Sequence, residues 1–218
     1  MKLFNRIFGK KANFDSKEYW EKRYQYGGNS GSGSYSNLSV FKAEIINDIV
    51  LLNNIDKVIE FGVGDGHQLT LMNYKRYLGL DVSPSVIKLC INKFSSDPSK
   101  SFILYDNNCF SDSAGFIEAN LSLSLDVLYH LVEAPVYEKY LIDLFSVADK
   151  MVVIYSTNEE LPQFGGHEKH RVITRDIERL IPGWKLSQEI KNKYPVAEHG
   201  EEMGSRANFY IFIKKQLA

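Results

Sequence analysis

Short apolar runs alternate through the central part of the chain with segments whose apolar positions recur at helical spacing. Such runs predict buried strands, because a strand covered on both faces of a sheet is apolar along its length. They fall at 57–62, 77–81, 101–106, 121–127 and 151–156. The helical spacing predicts helices around and between them. These fall at about 16–26, 38–53, 68–72, 84–94 and 137–147, with another helix opening at Thr174.

Local signals mark several of these boundaries. Ser83 precedes Pro84, which is typical of an N-cap followed by the first residue of a helix. Pro182-Gly183 marks the end of the last predicted helix. Two final strand patterns, at about 184–192 and 207–215, have no helix pattern between them, so we expect them to pair as an antiparallel hairpin.

This order of elements predicts an α/β fold with a doubly wound, seven-stranded, mostly parallel sheet and a C-terminal antiparallel hairpin. Sheets of this kind bind ligands at the carboxyl ends of their strands. We expect residues 54–218 to form this Rossmann-like domain. We expect residues 1–53 to form an N-terminal helical arm that covers the ligand site as a lid.

The composition of the chain limits the molecules that it is expected to bind and the compartment in which it is expected to lie. The 26 Lys and Arg residues nearly balance the 27 Asp and Glu residues, so no broad electrostatic field attracts nucleic acid. Cys90 and Cys109 stand in no paired spacing, which favours a reducing, cytoplasmic setting. No run is long enough to span a bilayer, and no signal-peptide pattern is present. The number of subunits is left open.

Residues 1–11 have apolar positions at helical spacing with lysine and arginine on the other side. One interpretation is a short interfacial helix with weak peripheral contact to anionic lipid. The other is an arm packed on its own domain, or a frayed end. We favour the second, because one or two helical turns bury little area.

A glycine-rich turn, Gly62-Val63-Gly64-Asp65-Gly66, follows the first buried strand. Glycines there allow a sharp turn and let a ligand touch backbone amides. His67 stands where a dinucleotide fingerprint has its third glycine, which disfavours NAD. Asp81 ends the second strand, where a carboxylate can accept both ribose hydroxyls of a nucleoside. Alternatively, Asp81 only begins the turn before Ser83-Pro84.

These residues resemble the class I S-adenosylmethionine-dependent methyltransferases, in which E/D-x-G-x-G-x-G is the defining motif. The resemblance covers about residues 57–160 and implies S-adenosylmethionine as cofactor. It implies that the glycine turn borders the methionine part, that Glu60 positions the ammonium and that Asp81 and Val82 hold the ribose. Asp106 would approach the adenine amine, with Asn107 or Asn108 as alternatives. The implied cofactor residues in this part of the chain are Glu60, Gly62, Val63, Gly64, Asp81, Val82, Asp106, Asn107 and Leu125.

A second glycine loop, residues 27–34, separates two helical patterns. By composition it is a flexible linker, but its ordered neighbours favour a loop that approaches a ligand closely. Together with Tyr19-Trp20-Glu21-Lys22-Arg23-Tyr24 and Phe41-Lys42-Ala43, it resembles bacterial methyltransferases of surface-polysaccharide assembly, such as capsule and O-antigen enzymes. That resemblance implies that the segment folds over the cofactor and that Arg23 or Tyr24 meets the cofactor carboxylate. It also implies O-methylation of a sugar hydroxyl or phosphate-type group of a capsule or lipopolysaccharide precursor.

Two segments are candidates for the acceptor site. A sugar hydroxyl must lose a proton and needs a base, whereas a phosphate needs cationic or hydrogen-bonding groups. Tyr129 and His130 follow the fourth strand, where the superfamily faces cofactor and acceptor, so either could contact the substrate; alternatively His130 caps local backbone. In 165–171 we predict His167, His170 and Arg171 as acceptor contacts, although a solvated charge run is the alternative. His-x-x-His offers two ligands and no third, so no metal site is expected.

Other functions remain open from the sequence. Methylation of a small metabolite or a protein is one alternative. The Asn-Pro-Pro-Tyr-like signature of base and glutamine N-methylation is absent, since Leu123-Ser124-Leu125-Asp126 holds its position. A cofactor-binding partner subunit without catalysis is another, disfavoured by the polar loop at 165–171. An oxidoreductase is disfavoured by the glycine spacing.

Overall fold

Seven strands form one mixed sheet in the computed structural model, which describes residues 14–162 and 166–215. Their order across the sheet is β3-β2-β1-β4-β5-β7-β6. The strands are β1 Lys57–Phe61, β2 Arg76–Asp81, β3 Lys100–Leu104, β4 Ala119–Leu125, β5 Ala148–Ser156, β6 Trp184–Ile190 and β7 Asn208–Lys214. The first five pair in parallel, and β7 pairs antiparallel with both β5 and β6. The predicted sheet and its C-terminal hairpin are therefore confirmed.

Six α-helices accompany the sheet in the described part of the chain. They are α1 Ser16–Gln25, α2 Ser36–Leu52, α3 Pro84–Lys93, α4 Ala134–Ser146, α5 Ile173–Leu180 and α6 Val196–Met203. The N-cap prediction for α3 is confirmed: the Ser83 hydroxyl accepts a hydrogen bond from the Val86 N–H, with Pro84 at the first position.

Two predicted details are wrong. The segment after β1 is a short 3-10 helix, Gln68–Leu71, because the glycine turn ends at Gly66 and β2 already begins at Arg76, which leaves little chain for a longer helix. A helix does lie between the last two strands. This helix, α6, is interrupted at Gly200, whose φ of 72° is not helical, and such an interruption hides the helical period in the sequence.

The core lies on both faces of the sheet. Successive residues of a strand point to opposite faces. Val58 accordingly belongs to the cluster that includes Ile46 of α2, whereas its neighbour Ile59 belongs to the cluster that includes Leu144 of α4. This arrangement leaves the carboxyl ends of β1, β2 and β4 open toward one edge, where a ligand can enter between the helical layers.

No helix within residues 14–162 and 166–215 is long and apolar enough to cross a membrane. The amphipathic pattern at residues 1–11 lies outside the described residues. The described chain begins at Phe14, shortly before α1, and α1 packs against α3.

Candidate functional site

A cavity of about 190 Å³ lies at the carboxyl ends of β1, β2 and β4. One side is formed by the start of the glycine turn with the acidic residues beside it; we call Glu60, Gly62–Gly64 and Asp81 the glycine-turn side. The opposite side is formed where α1 meets the segment after β4; we call Trp20, His130 and Glu133 the histidine side. Other lining residues include Lys17, Tyr24, Ser30, Lys42, Gln68, Val82, Tyr105, Asn107, Asn108, Leu125, Asp126, Val127, Leu131 and Tyr140.

The glycine turn depends on left-handed backbone at Gly62 and Gly64, with φ values of 84° and 58°. A Cβ atom on Gly62 would stand 2.4 Å from Cγ2 of Val127, so a side chain there would meet both backbone strain and a clash. The Gly64 N–H donates to Asp81 Oδ2 at 3.0 Å. The turn is therefore fixed by its own conformation and by the carboxylate that ends β2.

Two carboxyl groups on the glycine-turn side are buried. Burial raises the pKa of Glu60 to about 7 and that of Asp81 to about 6. The Tyr77 hydroxyl donates to Glu60 Oε2 at 2.6 Å, and the Ser83 N–H donates to Asp81 Oδ1 at 3.0 Å. Since the charged forms are penalised in this site, a cationic ligand would favour their ionisation.

The second glycine loop is fastened to the first one through Asp65. The Ser30 N–H donates to Asp65 Oδ2 at 2.8 Å, and the Asp65 N–H donates to the Ser30 hydroxyl at 2.9 Å. The Tyr35 hydroxyl donates to the same carboxylate oxygen at 2.9 Å. The Tyr24 and Ser30 hydroxyls share a hydrogen bond of 3.1 Å. Residues 27–34 thus lie against the glycine turn.

Helix α1 forms a wall of the cavity and is held against α3. Glu21 accepts hydrogen bonds from Ser83 and Ser85, at the N-terminus of α3, where a negative charge is favourable. Lys17 pairs with Asp106 at 2.7 Å. Trp20 and Tyr24 of α1 face the cavity.

Most residues predicted for the cofactor lie in the cavity lining. They are Tyr24, Glu60, Gly62, Val63, Gly64, Asp81, Val82, Asn107 and Leu125. Arg23 lies outside the lining, because its Nε donates to the Asn29 carbonyl at 2.6 Å and its guanidinium covers the Trp20 ring. The Asp106 carboxylate also lies outside, paired with Lys17 and accepting from the Asn108 N–H. Asn107 and Asn108, the alternatives to Asp106, face the cavity instead.

His130 is the one predicted acceptor residue in the lining among the described positions. Its Nδ1 lies 3.3 Å from the His167 carbonyl, and its ring stands edge-on to Trp20, with centroids 4.9 Å apart. Burial lowers the pKa of His130 to about 4, so the imidazole is neutral near pH 7. Beside it, the Ser16 N–H donates to Glu133 Oε1 at 2.8 Å, while buried Glu133 Oε2 has no hydrogen-bond partner among the described residues.

The other three predicted acceptor residues surround the segment that carries His130. The His167 ring stacks between the rings of Tyr19 and His130, at centroid distances of 5.3 and 5.9 Å. His170 Nδ1 lies 2.8 Å from the Thr157 hydroxyl oxygen. Arg171 donates to the backbone carbonyls of Leu131 and Val132 at 2.8 and 2.9 Å.

These contacts account for the side chains of His167, His170 and Arg171 without an acceptor. The Arg171 guanidinium also lies over the Tyr137 ring, 4.1 Å from its centroid. A guanidinium used in this way holds backbone in place, so Arg171 is not offered to a ligand in the cavity. Among the described residues, no group of three His, Cys, Asp or Glu side chains is arranged to hold a metal ion.

Sequence reasoning missed a buried ion pair in the cavity. Lys42 Nζ lies 2.6 Å from Asp126 Oδ2, and the Lys42 side chain is only 1% exposed. The Tyr129 hydroxyl donates to Asp126 Oδ1 at 2.9 Å, and Asp126 has a left-handed φ of 61°. The available signal was a lysine on the same face of α2 as the apolar residues Leu38 and Ile46, four residues before and after it.

Several solved structures with a similar fold are methyltransferases. The chain is similar to the N-methyltransferase NodS from Bradyrhizobium japonicum WM9 in complex with S-adenosylhomocysteine (TM-score 0.70, 14% identity, 93% of this chain and 100% of that one). It is also similar to magnesium protoporphyrin IX methyltransferase ChlM from Synechocystis PCC 6803 with bound S-adenosylmethionine (TM-score 0.66, 13% identity, 94% and 100%). A third is the methyltransferase domain of bacterial CtHen1 (TM-score 0.59, 18% identity, 81% and 100%).

No protein-family model and no curated protein sequence matches the chain. The structural matches show that the chain has the fold of class I S-adenosylmethionine-dependent methyltransferases. One of these names gives an acceptor, magnesium protoporphyrin IX, and none of the three names a capsule or O-antigen substrate. At this level of identity, the fold therefore does not select an acceptor.

Proposed function

We propose that this protein is an S-adenosylmethionine-dependent methyltransferase. The observation that carries the proposal is the shared cavity of the glycine turn and the buried carboxylate of Asp81, at the carboxyl ends of β1 and β2. Ligands bind at this edge in doubly wound sheets. The fold neighbours that contain S-adenosylmethionine or S-adenosylhomocysteine support the same ligand class.

The lining residues fit such a ligand chemically. Each Asp81 oxygen accepts one backbone hydrogen bond, and a carboxylate has about four lone-pair sites, so both oxygens can still accept from ribose hydroxyls. Val82, Val127 and Leu131 offer apolar surface for the adenine, with the Asn107 and Asn108 amides at its edge. The Glu60 carboxyl suits a cationic group.

When bound, S-adenosylmethionine would supply an electrophilic methyl group on its sulfonium. The chain's own residues position the reactants and exclude water, which are large contributions in a displacement of this kind. We propose that α1 and residues 27–34 act as the lid, since Glu21, Ser30 and Tyr35 attach them to the domain beneath.

We further propose an oxygen acceptor, a hydroxyl rather than a phosphate. If His130 Nδ1 donates to the His167 carbonyl, its Nε2 is free to accept a proton, and the ring is neutral. The Glu133 Oε2 atom beside it can accept a hydrogen bond from a second hydroxyl. A phosphate would need cationic groups, yet the histidine side offers a neutral imidazole and the carboxyl of Glu133, and Lys17 in the lining is paired with Asp106.

A sugar of a capsule or lipopolysaccharide precursor is the acceptor that we favour. It rests on the sequence resemblance of residues 19–35 and 41–43 alone, and the polar histidine side is compatible with it. The alternatives are a small metabolite, a protein, or cofactor binding without catalysis. The last would show ligand binding without methyl transfer to any acceptor.

Calorimetry with S-adenosylmethionine, S-adenosylhomocysteine and NAD tests the cofactor. We expect the chain to bind the first two and not NAD. Binding of NAD without binding of the other two would contradict the methyltransferase proposal. Transfer of an isotope-labelled methyl group to saccharide precursors, followed by mass spectrometry, tests the acceptor. Label recovered as a phosphate ester rather than an ether would contradict the hydroxyl assignment.

A further inference from the structure

One corner of the cavity contains a buried ammonium with hydrogen-bonding capacity to spare. Lys42 Nζ donates to Asp126 Oδ2 at 2.6 Å and lies 5.3 Å from the centroid of the Tyr155 ring. An ammonium has three N–H donors. No second acceptor within the described residues lies within hydrogen-bonding distance of Nζ. The lysine is therefore paired in charge, but only one of its three N–H donors has a partner among the described residues.

In the same corner, Gln68 has a buried acceptor atom to which no described residue donates a hydrogen bond. Its side chain is almost fully buried, and its Nε2 donates to the Ser39 carbonyl of α2 at 2.9 Å. Its Oε1 is buried without a hydrogen-bond partner among the described residues. Ser39 lies three residues before Lys42, one helical turn away, so α2 holds both side chains in one place. An unused buried acceptor is costly unless a ligand supplies the donor.

Glu60 completes the corner. Its carboxyl is buried, and the positive charge of Lys42 acts on it. Tyr77 donates to Oε2, whereas Oε1 accepts no hydrogen bond from a described residue. The corner thus has spare donors on Lys42 and spare acceptors on Gln68 and Glu60. A group that carries an anion and an ammonium on neighbouring atoms would satisfy both sets.

An α-amino acid is such a group. Resting on the proposed function, we propose that Lys42 and Gln68 form, with Glu60, the subsite for the amino-acid end of S-adenosylmethionine. Lys42 donates to the α-carboxylate, and Gln68 Oε1 and Glu60 accept from the α-ammonium. This assignment replaces Arg23, whose guanidinium is held outside the cavity by the Asn29 carbonyl and Trp20.

A pair of ligands that differ only at this end provides the test. S-adenosylhomocysteine has the amino-acid chain, whereas 5′-methylthioadenosine has a methyl group in its place. Calorimetry on the full chain should show that Lys42→Met and Gln68→Met each weaken S-adenosylhomocysteine binding about 10- to 100-fold, as expected for a lost hydrogen bond to a charged group. Affinity for 5′-methylthioadenosine should change less than about twofold.

Two further variants separate this role from a loss of structure. Lys42→Met alone leaves the partly buried Asp126 without its cation, so Lys42→Met with Asp126→Asn should show the same ligand-selective loss with normal thermal unfolding. Lys17→Met is the matched control, because Lys17 also lines the cavity and pairs with a carboxylate, Asp106. It should leave the ratio of the two affinities unchanged.

The outcomes are distinguishable. If the wild-type chain binds neither nucleoside, the proposed function fails and this inference fails with it. If the wild-type chain binds S-adenosylhomocysteine but the variants weaken both ligands equally, or neither, the inference alone is overturned. Lysine-dependent binding of inorganic phosphate, with unchanged affinity for S-adenosylhomocysteine, would assign Lys42 to a phosphorylated acceptor instead and would also overturn it.

Discussion

The two sides of the cavity are built in different ways. On the glycine-turn side, Gly62 and Gly64 adopt left-handed backbone and Asp81 closes the turn from the adjacent strand. On the histidine side, His130 is positioned by rings and carbonyls from distant parts of the chain, including Trp20 and His167. The first side depends on local conformation, whereas the second depends on three separate segments meeting correctly.

The contrast has a functional consequence. A cofactor that is common to a fold can be bound by a local backbone turn, and any chain with this turn can form such a site. An acceptor must be distinguished from others, and side chains carried on loops and a terminal helix can vary without disturbing the sheet. We therefore expect changes on the two sides to affect different steps, with cofactor binding on one and turnover on the other.

The largest effect is expected from His130→Ala. If the imidazole accepts the acceptor's proton, its loss should lower kcat about 10²- to 10⁴-fold. Binding of S-adenosylhomocysteine should change little, because the glycine-turn side is intact. Steady-state kinetics and calorimetry on the same preparation would show this split. Equal loss of binding and turnover would mean that the two sides are not separable.

Gly62→Ala should act on the other side. The new Cβ would meet Val127 Cγ2 at 2.4 Å in a left-handed conformation, so we expect about 100-fold weaker S-adenosylhomocysteine binding. Gly115→Ala is the matched control, since Gly115 has a similar φ of 71° and a Cβ added there would meet no described heavy atom within 4 Å. Adding Val127→Ala should recover part of the lost affinity; no recovery would leave strain alone as the cause.

Arg171→Met tests the support of the histidine side. The variant removes two hydrogen bonds to the carbonyls of Leu131 and Val132, which should cost about 1–3 kcal/mol of unfolding free energy. The loosened segment should lower kcat about tenfold and leave cofactor affinity nearly unchanged. Chemical denaturation and kinetics provide the readouts. A rise in the acceptor KM with unaltered stability would instead support direct acceptor contact by Arg171.

The smallest effect is a pH dependence of the glycine-turn side. Burial raises the pKa of Glu60 from 4.5 to about 7, so the folded chain without ligand binds more protons than the unfolded chain in this range. Its contribution to stability should therefore be lost as pH rises from about 4.5 through 7. The affinity for the ligand should rise several-fold from pH 6 to pH 8, because the ionised Glu60 carboxylate accepts a hydrogen bond from the ligand's ammonium group.

Calorimetry in buffers of different ionisation enthalpy would detect the proton that leaves on binding. Glu60→Gln should remove most of this dependence, and the remaining part belongs to Asp81, whose pKa is about 6. If affinity is independent of pH in the wild-type chain, Glu60 is not the group that meets the ligand's positive charge.

Much of the fold was predictable from the sequence, because its signals are local. Apolar runs predicted the strands, and Ser83-Pro84 predicted the start of α3. The segment between β6 and β7 was predicted wrongly, since the interruption at Gly200 hides the helical period of α6. Local propensity could not predict the 3-10 helix after β1 either, because the short span between two strands determines the type of helix that forms there.

The sequence by itself determined the alternation of strands and helices in an α/β sheet, the glycine turn after β1 and the acid that ends β2. These are fixed by residue type and periodicity, and neighbouring residues along the chain suffice to reveal them. Only the tertiary structure decided which cations face the cavity. Lys42 from α2 meets Asp126 after β4, whereas Arg23 turns away toward the Asn29 carbonyl. Lys42 and Asp126 are far apart in sequence, so no local pattern encodes that they meet.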